Sequence, residues 1–202
     1  MVLPLLAAAA YDAARVLEAA AERGPRVAEQ AQALVQQIER SGTQDELQRL
    51  KDINDFFNRR LAFKEDAVTW GLPDYWASPL ESLDKRAGDC EDYAIAKYFS
   101  LAASGVPTAR LRMVYVRARL QGQSLAHMVL AYYAAAGAEP LILDNLIGEI
   151  RPASRRPDLE PVFSFNGEGL WQGVGTQSAG DPVSRLSRWR EVLAKAHAEG
   201  FQ

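Results

Sequence analysis

The chain has one cysteine in 202 residues. That excludes an internal disulfide and any metal site built from several thiolates. It also lacks an excess of basic charge: the net charge is -3 and the pI is near 5.5. Nucleic acid is therefore not an expected partner. The short basic clusters Arg155-Arg156 and Arg185, Arg188, Arg190 read as solvated faces. The apolar opening MVLPLLAAAA is too short to span a bilayer, so the chain is not expected to be membrane-embedded. Two readings fit residues 1–10: the remnant of a truncated secretory signal, although no Lys or Arg precedes it, or the first turn of an Ala-rich helix. There is no internal repeat and no low-complexity linker.

What is present is globular: 48% hydrophobic and 24% charged residues, at a length that suits one domain with a helical extension. Residues 1–40 read as an Ala-rich N-terminal helical region, broken into two helices at Gly24-Pro25. Residues 41–202 read as the main domain. Thr43 and Glu46 have capping-box spacing, and Leu47, Leu50, Ile53, Phe56, Phe57 and Leu61 mark the buried face of the helix that follows. Residues 63–84, with Gly71, Pro73 and Pro79, read as an ordered aromatic loop. A helix then begins near Gly88 or Asp89, with Ala94, Ala96, Tyr98, Phe99 and Leu101 inward, and ends at Gly105-Val-Pro107.

From there the period changes. ARLRMVYVRARL, LAHMVLAYYA and EPLILDNLIGEI are β-rich runs that read as adjacent antiparallel strands, and VFSFNGEGLWQGVG is a fourth aromatic stretch with a turn. A single last helix starts at Pro182. The fold class is α+β, with helices first and an antiparallel sheet second.

The chemistry centres on Cys90, boxed in by Asp89, Glu91 and Asp92. Neighbouring carboxylates raise a thiol pKa, whereas a helix N-terminus lowers it. His127 lies in an apolar strand and Asp144 in the next one. Side by side across two antiparallel strands, Asp144 could hold the imidazole by its Nδ1–H, leaving the other nitrogen toward Cys90. Each residue alone has an ordinary reading: a small core thiol, a satisfied core histidine, a turn or cap aspartate. Order, spacing and strand context together favour a nucleophile, base and orienter. His197 reads as solvated.

AGDCEDYAIAKYFSLAASGV, LAHMVLAYY and LILDNL together resemble the bacterial transglutaminase-like cysteine proteinases of the LapG type. The flanks INDFFNRRLAFKEDAVTWGLPDYWASPLE and FSFNGEGLWQG are similar to the same family, so the likeness covers residues 45–175. The resemblance implies a papain-like, transglutaminase-like core, with the nucleophile-bearing helix packed on an antiparallel sheet. It implies a periplasmic endopeptidase with catalytic Cys90, His127 and Asp144. The implied substrate is the N-terminal region of a large surface adhesin, cut near a di-alanine site to release biofilm cells. An inner-membrane cyclic di-GMP receptor is the implied controlling partner, through its periplasmic domain. Calcium is the implied cofactor, held by Asp89, Glu91 and Asp92. Consecutive helical residues point apart, so other groups must complete such a site. The same acids could instead cap the helix and favour its first turn.

The Cys90 backbone N–H is a natural oxyanion donor, and the Trp76 indole N–H is the candidate for a second. Packing roles for Trp70 and Trp76 are the plain alternative. Two other functions compete: amide or acyl transfer on the same core, and a non-catalytic calcium-dependent binding module.

Overall fold

The computed structural model describes residues 11–175 and 178–202. The candidate signal remnant at residues 1–10 lies outside them. Asp12 caps α1 (Ala13–Glu22), which buries Val16, Ala19 and Ala20. Gly24, at φ 112°, takes a conformation that strains L side chains, and Pro25 opens α2 (Pro25–Gly42). The expected break is thus a turn between two helices. Thr43 is the C-cap of α2 rather than an N-cap, and its hydroxyl donates to the Arg40 carbonyl. Asp45 takes the N-cap of α3 (Glu46–Arg60) instead, accepting from the Gln48 amide at 2.9 Å. α3 buries Leu50, Ile53, Phe56 and Phe57, whereas Leu47 is 63% exposed.

A short parallel pair, β1 (Ala62–Phe63) with β2 (Ala87–Gly88), ties together the two ends of the aromatic segment. That segment is not all loop. It contains α4 (Asp66–Thr69) and α5 (Pro79–Lys85). Pro79 starts α5 rather than breaking a helix, because Ser78 and Glu81 form a capping box around it.

β2 leads into α6 (Cys90–Ala103). Every residue of α6 from Asp92 to Ala102 is buried, so it is a central helix and not one with a single inward face. It packs on a seven-stranded antiparallel sheet and also touches α3 and α5. The strands are β3 (Leu111–Leu120), β4 (Gln123–Tyr132), β5 (Leu141–Leu143), β6 (Arg151–Pro152), β7 (Leu159–Phe165), β8 (Leu170–Gln172) and β9 (Ser178–Gly180). Their order is β6-β5-β4-β3-β7-β8-β9. Leu111 and Met113 face the helices, while Val114, Val116, Val129 and Ala131 form a second apolar cluster with Ile142.

The expected last helix is two, α7 (Pro182–Arg185) and α8 (Ser187–Ala198), separated by Leu186 in extended conformation. Trp189 of α8 is fully buried and meets the rings of Tyr98, Phe99 and Phe165. The main core cluster runs from Val16 through α2, α3 and α6 to Phe201. Tyr11 bridges to Phe201 and stacks on its ring.

Candidate active site

Cys90 is the first residue of α6 and is half-buried. Its thiol donates to Glu91 Oε2 at 3.0 Å, and the Met128 backbone amide hydrogen-bonds the sulfur. Burial, then the charges of Glu91 and Asp89, push the thiol pKa well above its ordinary value. The Met128 amide works in the opposite direction but does not offset them. In this arrangement burial is the first cause and the acids add to it.

Met128 and His127 belong to β4, whose pairing with β5 stops at Leu130 opposite Leu143. The β4 edge beyond that point is left to face Cys90. His127 is buried, and its Nε2 lies 2.8 Å from Asp144 Oδ1. Two details differ from the sequence reading. Asp144 is not on a strand opposite His127; it follows the last residue of β5 and reaches the ring from beyond the ladder. It also engages Nε2 rather than Nδ1, so Nδ1 is the ring nitrogen that Asp144 does not use.

Asp144 is held from several sides. The Leu146 amide donates to Oδ1 at 3.1 Å, and Arg156 Nη2 donates to Oδ2 at 2.7 Å. Burial alone would raise this carboxyl, but the hydrogen bonds and charges of His127 and Arg156 bring it down to about 2. Arg156 is not the solvated residue its sequence neighbourhood suggested: it is 2% exposed and also pairs with Asp158. Asp144's main-chain carbonyl accepts from Asn58 at 2.9 Å and from Lys97 at 3.2 Å. Lys97, on α6 with Cys90, is fully enclosed. Burial draws its pKa down to about 7, with Asp144 and Asp55 acting in the opposite sense. No periodicity marks Asn58, Lys97 or Arg156 as part of the site.

Cys90 and His127 share one cleft of about 370 Å³, with Trp76, Tyr115, Phe163 and Leu186 on its walls. Trp76 stacks on Phe165 at 5.8 Å, and its carbonyl is held by Lys195 at 2.6 Å. Trp76 is thus both a packing residue and a cleft residue. Trp70 packs on Tyr75, with ring centroids 4.4 Å apart. His197 is exposed.

The acids divide into overlapping groups. Asp66, Asp89 and Asp92, all buried, bring carboxylate oxygens within 4.8 Å of one another. Glu91 joins Asp89 and Cys90 in a second group, and Asp66 and Asp74 in a third. Asp66 was missed in the sequence. It lies in α4, just after β1, and the β1–β2 pairing of Phe63 with Gly88 carries it to Asp89. Asp89 occupies the N-cap position of α6, but its side chain makes no capping bond. Asp92 Oδ1 accepts from the Ala77 amide at 2.7 Å. Asp66 Oδ1, Asp89 Oδ1 and Asp92 Oδ2 are buried without a hydrogen-bond partner. Burial first, then mutual repulsion with Glu91 among the causes, raises the pKa of all three. Gly88 makes room for the group, since a Cβ there would lie 2.6 Å from Asp92 Cβ. Converging, unpartnered hard oxygens fit a dication such as Ca²⁺.

A cysteine at the start of a central helix, beside a histidine at the edge of an antiparallel sheet, is the layout of a papain- or transglutaminase-like thiol enzyme. Residues 25–157 match the bacterial transglutaminase-like cysteine proteinases (BTLCP), and the chain belongs to this family. No curated protein matches it. Among solved structures it is similar to Legionella pneumophila LapG in EGTA-treated form. That match has 36% identity, covers 94% of this chain and 100% of the other, and has a TM-score of 0.82. The calcium-bound form of Legionella pneumophila LapG matches at 36% identity over 91% of this chain and 98% of its own, with a TM-score of 0.80. The fold is therefore α+β and transglutaminase-like. Among the described residues no helix is long and apolar enough to cross a membrane.

Proposed function

We propose that this chain is a calcium-dependent cysteine endopeptidase with Cys90 as nucleophile, His127 as base and Asp144 as orienter. The observation that carries this reading is the buried His127–Asp144 pair at 2.8 Å, with His127 and Cys90 lining one cleft. His127 takes the thiol proton as the sulfur attacks the peptide carbonyl carbon. The candidate donors to the developing oxyanion are the Cys90 backbone N–H and the indole N–H of Trp76, which lines the same cleft. The amine leaves with the proton from His127, and a thioester remains on Cys90. Water gives a proton to His127 as it attacks the thioester carbonyl carbon. The C–S bond then breaks, the Cys90 sulfur takes that proton back, and the new carboxylic acid departs and ionises in solvent.

Asp66, Asp89 and Asp92, with Glu91 at their edge, are the residues that would hold calcium. Their unpartnered buried oxygens and the calcium-bound form of Legionella pneumophila LapG support this. Bound there, the ion supplies positive charge that offsets the carboxylate field on the thiol.

Family membership supports the wider setting. The enzyme acts in the periplasm on the N-terminal region of a large surface adhesin, near a di-alanine site, and so releases biofilm cells. The periplasmic domain of an inner-membrane cyclic di-GMP receptor controls it.

The test is cleavage of peptides containing Ala-Ala junctions, with and without EGTA, by wild type and Cys90→Ala. Cleavage that requires Cys90 and is lost in EGTA is the expected result. Cleavage indifferent to EGTA would return the acids to a structural role. No cleavage by folded wild type would overturn the peptidase reading in favour of a binding module, and transfer of the acyl group to added amines would favour the transferase.

A further inference from the structure

We propose that Arg156 is a positioning residue for the reaction at Cys90, an inference that rests on the peptidase reading above. Its guanidinium holds the outer oxygen of Asp144 so that the inner one stays aimed at His127.

The carboxylate of Asp144 divides its bonds unevenly. Oδ1 serves His127 at 2.8 Å and the Leu146 amide at 3.1 Å. Oδ2 is served by Arg156 Nη2 at 2.7 Å. The χ2 torsion of an aspartate is broad and roughly two-fold, so without that bond the two oxygens can exchange or drift. A drifting carboxylate no longer fixes the imidazole tautomer or orientation, which is the contribution of the third residue in such sets.

Arg156 is poorly explained by stability. It is 2% exposed and leaves Nη1 buried without a partner. It also lines a small cavity with Val116, Val129, Ile142 and Leu159. Two of its three nitrogens are bonded, yet a buried ion pair is weak evidence of stability, because apolar replacement of both partners is often neutral or stabilising. Removal of Arg156 alone is the costly change, since it leaves Asp144 buried with less compensation. What the guanidinium does provide is a bridge. Besides Asp144 it binds Asp158, with Nη2 at 2.7 Å and Nε at 3.0 Å, and so fixes its own fork in place. The backbone of Asp144 is held separately, by Asn58 and Lys97 on its carbonyl. Loss of Arg156 should therefore free the side chain of Asp144 while its main chain stays put.

The experiment compares wild type, Arg156→Met, Arg156→Lys and Asp144→Asn, with Arg156→Met also placed in the Asp144→Asn background. Two readouts are used: steady-state cleavage of an Ala-Ala peptide in calcium, and alkylation of Cys90 by iodoacetamide. Arg156→Met should lower kcat about 10- to 100-fold with KM unchanged, the usual cost of removing an outer hydrogen-bond partner of a working residue. Arg156→Lys should recover part of the loss. In the Asp144→Asn background Arg156→Met should add nothing, because its effect passes through that carboxylate. A kcat within twofold of wild type, or a loss that adds fully to that of Asp144→Asn, overturns the proposal.

If Arg156→Met does not fold, Arg156→Lys decides. A point-charge ammonium cannot make both bonds of the fork, so a wild-type kcat would overturn the proposal. If wild type cleaves no peptide, the peptidase reading fails on its own, and alkylation still reads Arg156. Slower alkylation in Arg156→Met would support the positioning role, and an unchanged rate would overturn it.

Discussion

At the scale of single residues, the site sets two carboxylates against each other. Asp144 is buried yet held down to about 2 by its hydrogen bonds to His127 and Arg156, so its carboxylate stays ionised, as the proposed orienting role requires. Asp89 is buried beside other acids and is pushed the other way. Asp144→Asn should keep the fold, because Asn58 and Lys97 grip the main chain and not the carboxylate. It removes the charge that fixes the imidazole. In calcium, kcat for an Ala-Ala peptide should fall roughly 10²- to 10⁴-fold with KM little changed, by analogy with the orienting aspartate of serine proteases. A kcat close to wild type would remove Asp144 from the mechanism.

At the scale of elements, the joins between them carry the site. Gly88 closes β2 against the side chain of Asp92, where an added Cβ would meet Asp92 Cβ at 2.6 Å and Oδ2 at 2.7 Å. Gly88→Ala should cost about 1–3 kcal/mol by overpacking. By displacing Asp92 it should also raise the calcium concentration needed for activity. Thermal melts and a calcium titration of cleavage read the two effects separately. The C-terminal helix is joined to α5 by Glu199, whose carboxylate accepts from Ser78 Oγ and the Leu80 amide and pairs with Arg23 at 2.7 Å. Burial raises Glu199 from 4.5 to about 7. Between those pH values the folded protein binds more protons than the unfolded chain, so the Glu199 contribution is present below pH 4.5 and is lost as pH rises through about 7. It amounts to something on the order of 3 kcal/mol. Glu199→Gln should flatten this part of the stability–pH curve in denaturant melts from pH 5 to 8; an unchanged slope would show that Glu199 is not its source.

At the scale of the whole molecule, α1, α2 and α8 share the core cluster that carries α6. Trp189 is the junction, fully buried against Tyr98, Phe99 and Phe165. Trp189→Ala should cost about 3–5 kcal/mol, read as a lower denaturation midpoint. Because Phe165 also stacks on Trp76 in the cleft, cleavage should weaken together with stability. A destabilised variant with wild-type kcat would mean that the cleft is insulated from this packing.

What the sequence determined by itself was local or compositional. The break at Gly24-Pro25, the switch from helical to alternating pattern near Leu111, and the order Cys90, His127, Asp144 are written in neighbouring residues. Patterns of this kind survive because backbone conformation answers first to local sterics and to apolar period. Capping was less legible: Thr43 and Asp45 are both good caps two residues apart, and only the length of α2 chose between them. The tertiary structure alone decided which acids meet, which nitrogen of His127 faces Asp144, and that Arg156 and Lys97 are buried. Asp66 and Asp89 are brought together by the parallel pairing of β1 with β2, a long-range hydrogen-bonded contact with no sequence period. Arg156 reads as surface because charged residues are almost never fully buried unless paired. Its partner Asp144 becomes its neighbour only when the chain returns through β6.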